Sequence, residues 1–127
     1  MSANTATHGR GNQLLAALPG GQAQRLIAGC DVVELPFGKV LSEQGDRIRH
    51  VYFPTTSFVS LISSTDGRPR LEVGLVGSEG MVGVSLALGV HVAPLRALVQ
   101  GEGSAFRMDA ALFARELKRN PVLAEDL

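Results

Sequence analysis

Residues 76–83 read Val76-Gly77-Ser78-Glu79-Gly80-Met81-Val82-Gly83, and Val84-Ser85-Leu86-Ala87-Leu88 follows. Gly77, Gly80 and Gly83 leave too little side chain here for a regular element, whereas residues 84–88 predict one helical turn or two. On the N-terminal side of this segment the apolar period is two. Leu71, Val73 and Leu75 alternate with Arg70, Glu72 and Gly74, and Asp66-Gly67 just before them is the strongest hairpin signal in the chain. Phe58 to Ile62 supplies the other arm. Further back, His50-Val51-Tyr52-Phe53 is a strand closed by Pro54, and Val40-Leu41 begins a short one that ends at Gly45-Asp46. Val33, Leu35 and Phe37 alternate with Val32, Glu34 and Pro36, ahead of a turn at Gly38. On the C-terminal side, Leu95 to Gln100 and Ala105 to Met108 are strands, with Gly101 and Gly103 between them. About eight short strands with turns every eight to twelve residues give a mainly β fold, a jelly-roll or β-roll barrel.

Short helices flank these strands. Asn12 is placed to cap a helix carrying Leu14, Leu15 and Leu18, which Pro19-Gly20-Gly21 ends. A second helix fits Gln22 to Ala28, with Gly29 as its stop. Asp109 is placed to cap a third, running to Asn120 and burying Leu112, Phe113 and Leu117. Arg115, Lys118 and Arg119 suit the negative end of its dipole. Pro121 breaks that pattern, and residues 122–127 resemble the opening of one more helix. The expected organisation is a disordered tail over residues 1–11, one β-roll domain over 12–120, and the start of a truncated helix over 121–127. The chain is therefore expected to be a piece of something longer.

With 127 residues, 45% of them hydrophobic and 19% charged, the chain can bury one real core. Twelve acidic and twelve basic residues cancel, so the basic excess of a nucleic-acid-gripping domain is missing. Basic residues come only in small groups, Arg47/Arg49, Arg68/Arg70 and Lys118/Arg119. No apolar run approaches the roughly 18 residues of a membrane span, and residues 1–10 lack the pattern of a signal peptide. A single cysteine, Cys30, precludes an internal disulfide and reads as a small buried hydrophobe. A cytoplasmic location is expected.

The glycine-rich segment carries the main chemical signal. Backbone N–H groups freed by glycines at a helix start can cradle a phosphate, and Arg96 on a following strand can close on it with a bidentate contact. The bland alternative is a tight barrel corner, with Arg96 paired to a surface carboxylate. His8, His50 and His91 are too scattered for a metal site, and the paired histidines and carboxylate of a barrel metalloenzyme are absent. Ser60, Ser63 and Ser85 have no histidine placed near them in sequence, so no enzyme is expected. Met81 and Met108 read as core packing.

Gly38-x-Val40-Leu41-x-x-x-Gly45-Asp46, Val51-Tyr52-Phe53-Pro54, the Asp66-Gly67 hairpin and Val76-Gly77-x-Glu79-Gly80-Met81-Val82-Gly83 stand in this order. Together they resemble the Crp/Fnr family of bacterial transcription regulators, over its N-terminal cyclic-nucleotide-binding-type β-roll, from about residue 12 to the end. The resemblance implies a full-length homodimer whose long dimerisation helix begins at 121–127, followed by a winged helix-turn-helix that binds DNA. It implies a small-molecule effector and no membrane. Members that bind cyclic AMP carry a Gly-Glu-Leu-type motif, its glutamate on the ribose hydroxyl, and an Arg-Ser or Arg-Ala pair on the cyclic phosphate. Gly83 matches the glycine, but Val84 stands at the glutamate and Ser85 follows it. Arg96-Ala97 matches the second pair, across a loop with Gly89, His91 and Pro94 that is a residue or two longer. Valine cannot accept the ribose hydrogen bond, which costs on the order of 1–3 kcal/mol, or roughly ten- to a hundredfold in affinity. The resemblance thus implies a sensor with a degenerate cyclic-nucleotide pocket at Gly83, Val84, Ser85, Arg96 and Ala97. A ligand-free module acting through protein contacts is the alternative.

Overall fold

The structure, a computed structural model, describes residues 11–64 and 70–127. Two short helices open it, α1 (Gln13–Ala16) and α2 (Gln22–Ala28). Seven strands follow among the described residues: β1 (Asp31–Leu35), β2 (Val40–Ser42), β3 (His50–Pro54), β4 (Phe58–Ser63), β5 (Leu71–Val76), β6 (Arg96–Gly101) and β7 (Gly103–Asp109). A 3-10 helix (Val84–Leu88) separates β5 from β6, and α3 (Ala110–Arg119) and α4 (Leu123–Asp126) close the chain. The strands form two antiparallel sheets, ordered β1-β7-β3 and β2-β6-β4-β5. The chain thus has the β-roll expected from its strand spacing. The expected Asp66-Gly67 turn lies outside the described residues.

Two apolar clusters hold the sheets. Between them pack Leu35, Tyr52, Val59, Val82, Ala97, Val99 and Ala105. On the other side of β3 and β7, the helices bring Leu15, Leu26, Phe113 and Leu123 onto Val51, Phe53, Phe106 and Met108. β3 therefore serves both clusters, which is why residues 51–53 are apolar without alternation. Phe53 and Phe113 meet edge to face, centroids 6.4 Å apart.

Several local expectations are corrected. Phe37 is not a core position of β1; it sits in the turn after that strand and is 68% exposed. Leu71, Val73 and Leu75 do form a strand, but at the edge of their sheet, and all three are exposed. The register of β4 against β5 shifts between Leu61 and Ile62, a bulge that breaks the simple two-face pattern. Asp109 occupies the cap position of α3 without a capping hydrogen bond; its carboxylate lies 3.4 Å from His50 Nε2 instead. The Ala110 N–H donates to the Arg49 carbonyl, 2.9 Å away, and so the chain entering β3 receives the start of α3.

Candidate functional site

A cavity of about 410 Å³ opens beside β3 and β6, a size ordinary for a small-molecule pocket. Both sheets contribute to its lining: Tyr52 of β3 from one, Leu61 of β4 and Ala97 of β6 from the other. Met81, Val82, Gly83, Val84 and Ser85 form one wall, and the Ala93-Pro94-Leu95 segment faces them. Asp46, Arg47, Ile48, Arg49 and His50 complete the lining.

Backbone pairing fixes these walls. Val82 exchanges hydrogen bonds with Tyr52 at 2.8 and 3.1 Å, so the glycine-rich segment is laced to β3. The Ala93 N–H donates to the Asp46 carbonyl at 2.7 Å, and the Ile48 N–H to the His91 carbonyl at 2.9 Å. Arg47 bridges Val92 between them. Gly83 has φ +100°, and a Cβ there would lie 2.8 Å from Val51 Cγ1. Both the left-handed backbone and the close approach to β3 require glycine at this position. Val84 follows it with its side chain partly in solvent, 44% exposed.

Four of the five residues expected from sequence meet here: Gly83, Val84, Ser85 and Ala97. Arg96 does not line the cavity. Neighbouring side chains of a strand face opposite ways, so Ala97 turns into the cavity and the largely buried Arg96 lies on the other face of its strand, against Glu43. The Arg96 Nε lies 3.2 Å from Glu43 Oε1, an ion pair by distance but misaligned as a hydrogen bond, and its Nη1 is buried without a partner among the described residues. The cation-bearing stretch is Arg47 to His50. In sequence it shows as the Arg47/Arg49 pair flanking Ile48, a spacing that places both arginines across from a core residue. Ile48 is indeed buried, at 8% exposure, and both arginines are exposed.

Burial raises the Tyr52 phenol above its ordinary value, and the charge and hydrogen bond of Arg107 partly offset this. Cys30 lies away from the cavity. Burial, helped by the charge of Asp31, pushes its thiol up to about 12, and it donates to the Leu26 carbonyl at 3.2 Å. A thiol protonated at neutral pH is a poor nucleophile. Among the described residues, no group of three or more His, Cys, Asp or Glu side chains converges as a metal site needs, and no helix is long and apolar enough to cross a membrane.

A two-sheet β-roll with helices at one side and a cavity under a glycine-rich corner is the cyclic-nucleotide-binding class of fold, which similar solved structures bear out. The N-terminal domain of a transcriptional regulator from Streptomyces coelicolor A3(2) is similar at TM-score 0.71 and 22% identity, over 91% of this chain and 81% of that one. The sensor domain of the transcriptional regulator DNR from Pseudomonas aeruginosa is similar at 0.75 and 19%, over 95% and 83%. The catabolite activator protein of Thermus thermophilus is similar at 0.74 and 17%, over 91% of this chain but only 54% of that one. The chain thus spans about half of that whole regulator. Regulators and cyclic-AMP-binding domains, rather than enzymes, make up these neighbours. At such identities the likeness is one of fold. No protein-family model matches the sequence, and no curated protein matches it.

Proposed function

We propose that this chain is the sensor domain of a Crp/Fnr-type transcription regulator, and that a small effector occupies the cavity lined by Gly83, Val84, Ser85 and Ala97. The observation that carries this reading is the position of the cavity. It shares the Arg47–His50 stretch with the start of α3, through the Arg49 carbonyl on the Ala110 N–H and the His50 contact with Asp109. An effector that prefers one arrangement of this stretch biases α3, and with it whatever follows, as any two-state relay requires. In this reading the whole protein is a cytoplasmic homodimer whose DNA-binding helix-turn-helix lies outside this chain. Cyclic nucleotides fit the cavity poorly. Val84 offers a ribose no acceptor, and Arg96 is not among the lining residues but lies against Glu43.

The test is calorimetric titration with cyclic AMP, cyclic GMP and cyclic di-GMP, then a thermal-shift screen of small anionic and neutral metabolites. The expected result is weak or no binding of the cyclic nucleotides. A screened compound should bind at one site, lose binding in Val84→Trp, and slow hydrogen exchange at the first amides of α3. Binding that leaves α3 unchanged, or a screen in which nothing binds, overturns the sensor reading. The exposed Leu71, Val73 and Leu75 on an edge strand favour a second reading, an interaction module acting through protein contacts. Coding sequence for a long amphipathic helix and a helix-turn-helix beyond residue 127 would decide for the regulator.

A further inference from the structure

The lining of the cavity is divided. Leu41, Leu61, Met81, Val84, Pro94 and Leu95 give it apolar walls, while Arg47 and Arg49 stand together on one side. Four ion pairs are formed among the described residues, and neither of these arginines belongs to one. Ile48 between them is buried in the helical-side core, and the backbone of Arg47 is bridged to that of Val92, while both arginine side chains are exposed. The carboxylate lining the cavity beside them, Asp46, already accepts the Glu43 N–H at 3.1 Å. His50, the next polar group, faces Asp109. The polar side chains on the remaining wall are few. Ser42 and Ser85 offer hydroxyls, and the Tyr52 phenol is engaged by Arg107.

A ligand matching this lining has an apolar body and one anionic head. Desolvating a polyhydroxylated ring against Leu, Met and Val walls leaves its hydroxyls unpaired, which is costly. A compact alkyl or aromatic body loses nothing there, and guanidinium pairs suit a carboxylate, sulfonate or phosphate through paired charge-assisted hydrogen bonds. We propose that the cavity binds a small amphipathic anion, its acidic head on Arg47 and Arg49 and its apolar body over Leu61, Met81 and Leu95. This rests on the reading of the cavity as an effector site and names the class of effector it takes.

The experiment uses two fluorescent probes with one aromatic body: 8-anilinonaphthalene-1-sulfonate, which carries an anion, and N-phenyl-1-naphthylamine, which does not. Each is titrated into the 127-residue chain, into Arg47→Gln/Arg49→Gln, into Val84→Trp, and into Arg25→Gln as a control for loss of a cation that does not line the cavity. Folding of each variant is checked by circular dichroism. The sulfonate should bind at one site and be displaced by octanoate and by octyl phosphate, either of which shares the chemistry. The double variant should weaken the sulfonate by about ten- to a hundredfold, the scale of a lost charge-assisted contact, and leave the neutral probe within about twofold. Val84→Trp should weaken both probes, and Arg25→Gln neither. Octanoate or octyl phosphate competing alone identifies the head group, carboxylate or phosphate, and supports the proposal equally. Equal loss of both probes in the double variant, or loss of neither, overturns the anionic head while leaving a cavity that binds. Sulfonate binding that survives Val84→Trp places it outside the cavity and overturns the proposal. No binding of either probe overturns both the proposal and the effector reading beneath it.

Discussion

Asn12 joins three parts of the chain through one side chain. Its Oδ1 accepts the Leu15 N–H at 3.0 Å, and its Nδ2 donates to the carbonyls of Pro54 at 2.8 Å and Gly80 at 3.0 Å. The residue is fully buried, at 0% exposure. The sequence marks it as the cap of α1, but the two long-range donations belong to the fold. They tie the first helix to the end of β3 and to the glycine-rich corner beside the cavity. Asn12→Asp separates the two roles. An aspartate is as good a cap as asparagine, so a purely local role predicts little change. The ionised carboxylate has no donor for either carbonyl and is buried beside both. We therefore expect Asn12→Asp to lower the unfolding free energy by about 2–4 kcal/mol, at least as much as Asn12→Ala, measured by urea denaturation near neutral pH. A loss below about 1 kcal/mol, as for a cap alone, would reduce Asn12 to a local residue.

At the scale of elements, β5 is the least settled part of the architecture. Its alternation is as regular as that of a buried strand, yet Leu71, Val73 and Leu75 are 65%, 52% and 55% exposed. The strand lies at a sheet edge and only β4 pairs with it among the described strands. Apolar side chains along an unpaired edge invite pairing with another chain, and a lysine there is the usual protection. Val73→Lys should therefore change unfolding stability by no more than about 0.5 kcal/mol, since it removes no buried contact. The same change should reduce concentration-dependent association, followed by light scattering. A loss of several kcal/mol would show that Val73 is packed against something in the free chain. The 3-10 helix shows the opposite relation between pattern and place. Leu86 is buried and Leu88 is 82% exposed, so its five residues hold one anchor and present Val84 and Ser85 to the cavity.

At the scale of the whole molecule, the C-terminal turn packs on the helical-side core. Residues 122–127 read in sequence as the opening of one more helix. The structure folds α4 back, with Leu123 only 2% exposed in the same cluster as Leu15, Phe53 and Phe113. Leu127 packs against that cluster too. Leu123→Ala should then cost about 2–5 kcal/mol, the range for a buried leucine. Chemical denaturation checks this, and a cost below about 1 kcal/mol would mean that α4 is only loosely docked. α3 joins α4 to the Arg47–His50 stretch, through the Ala110 N–H on the Arg49 carbonyl and the Asp109 contact with His50.

Composition, period and turn chemistry by themselves determined a mainly β roll, where its strands lie (β2 excepted, which ends at Ser42 rather than at Gly45-Asp46), both N-terminal helices, and the glycine-rich corner. These are local properties: alternation and glycine punctuation act through neighbours a few residues apart. Tertiary structure alone decided which face of each strand is covered. That is why Phe37 and the β5 leucines lie in solvent, and why Arg96 and Ala97, adjacent in sequence, look away from each other. It also decided that the arginines at the cavity are Arg47 and Arg49. Their approach to residues 83–85 depends on backbone pairing of 45–48 with 91–93, and no local pattern encodes a contact between segments so far apart in the chain.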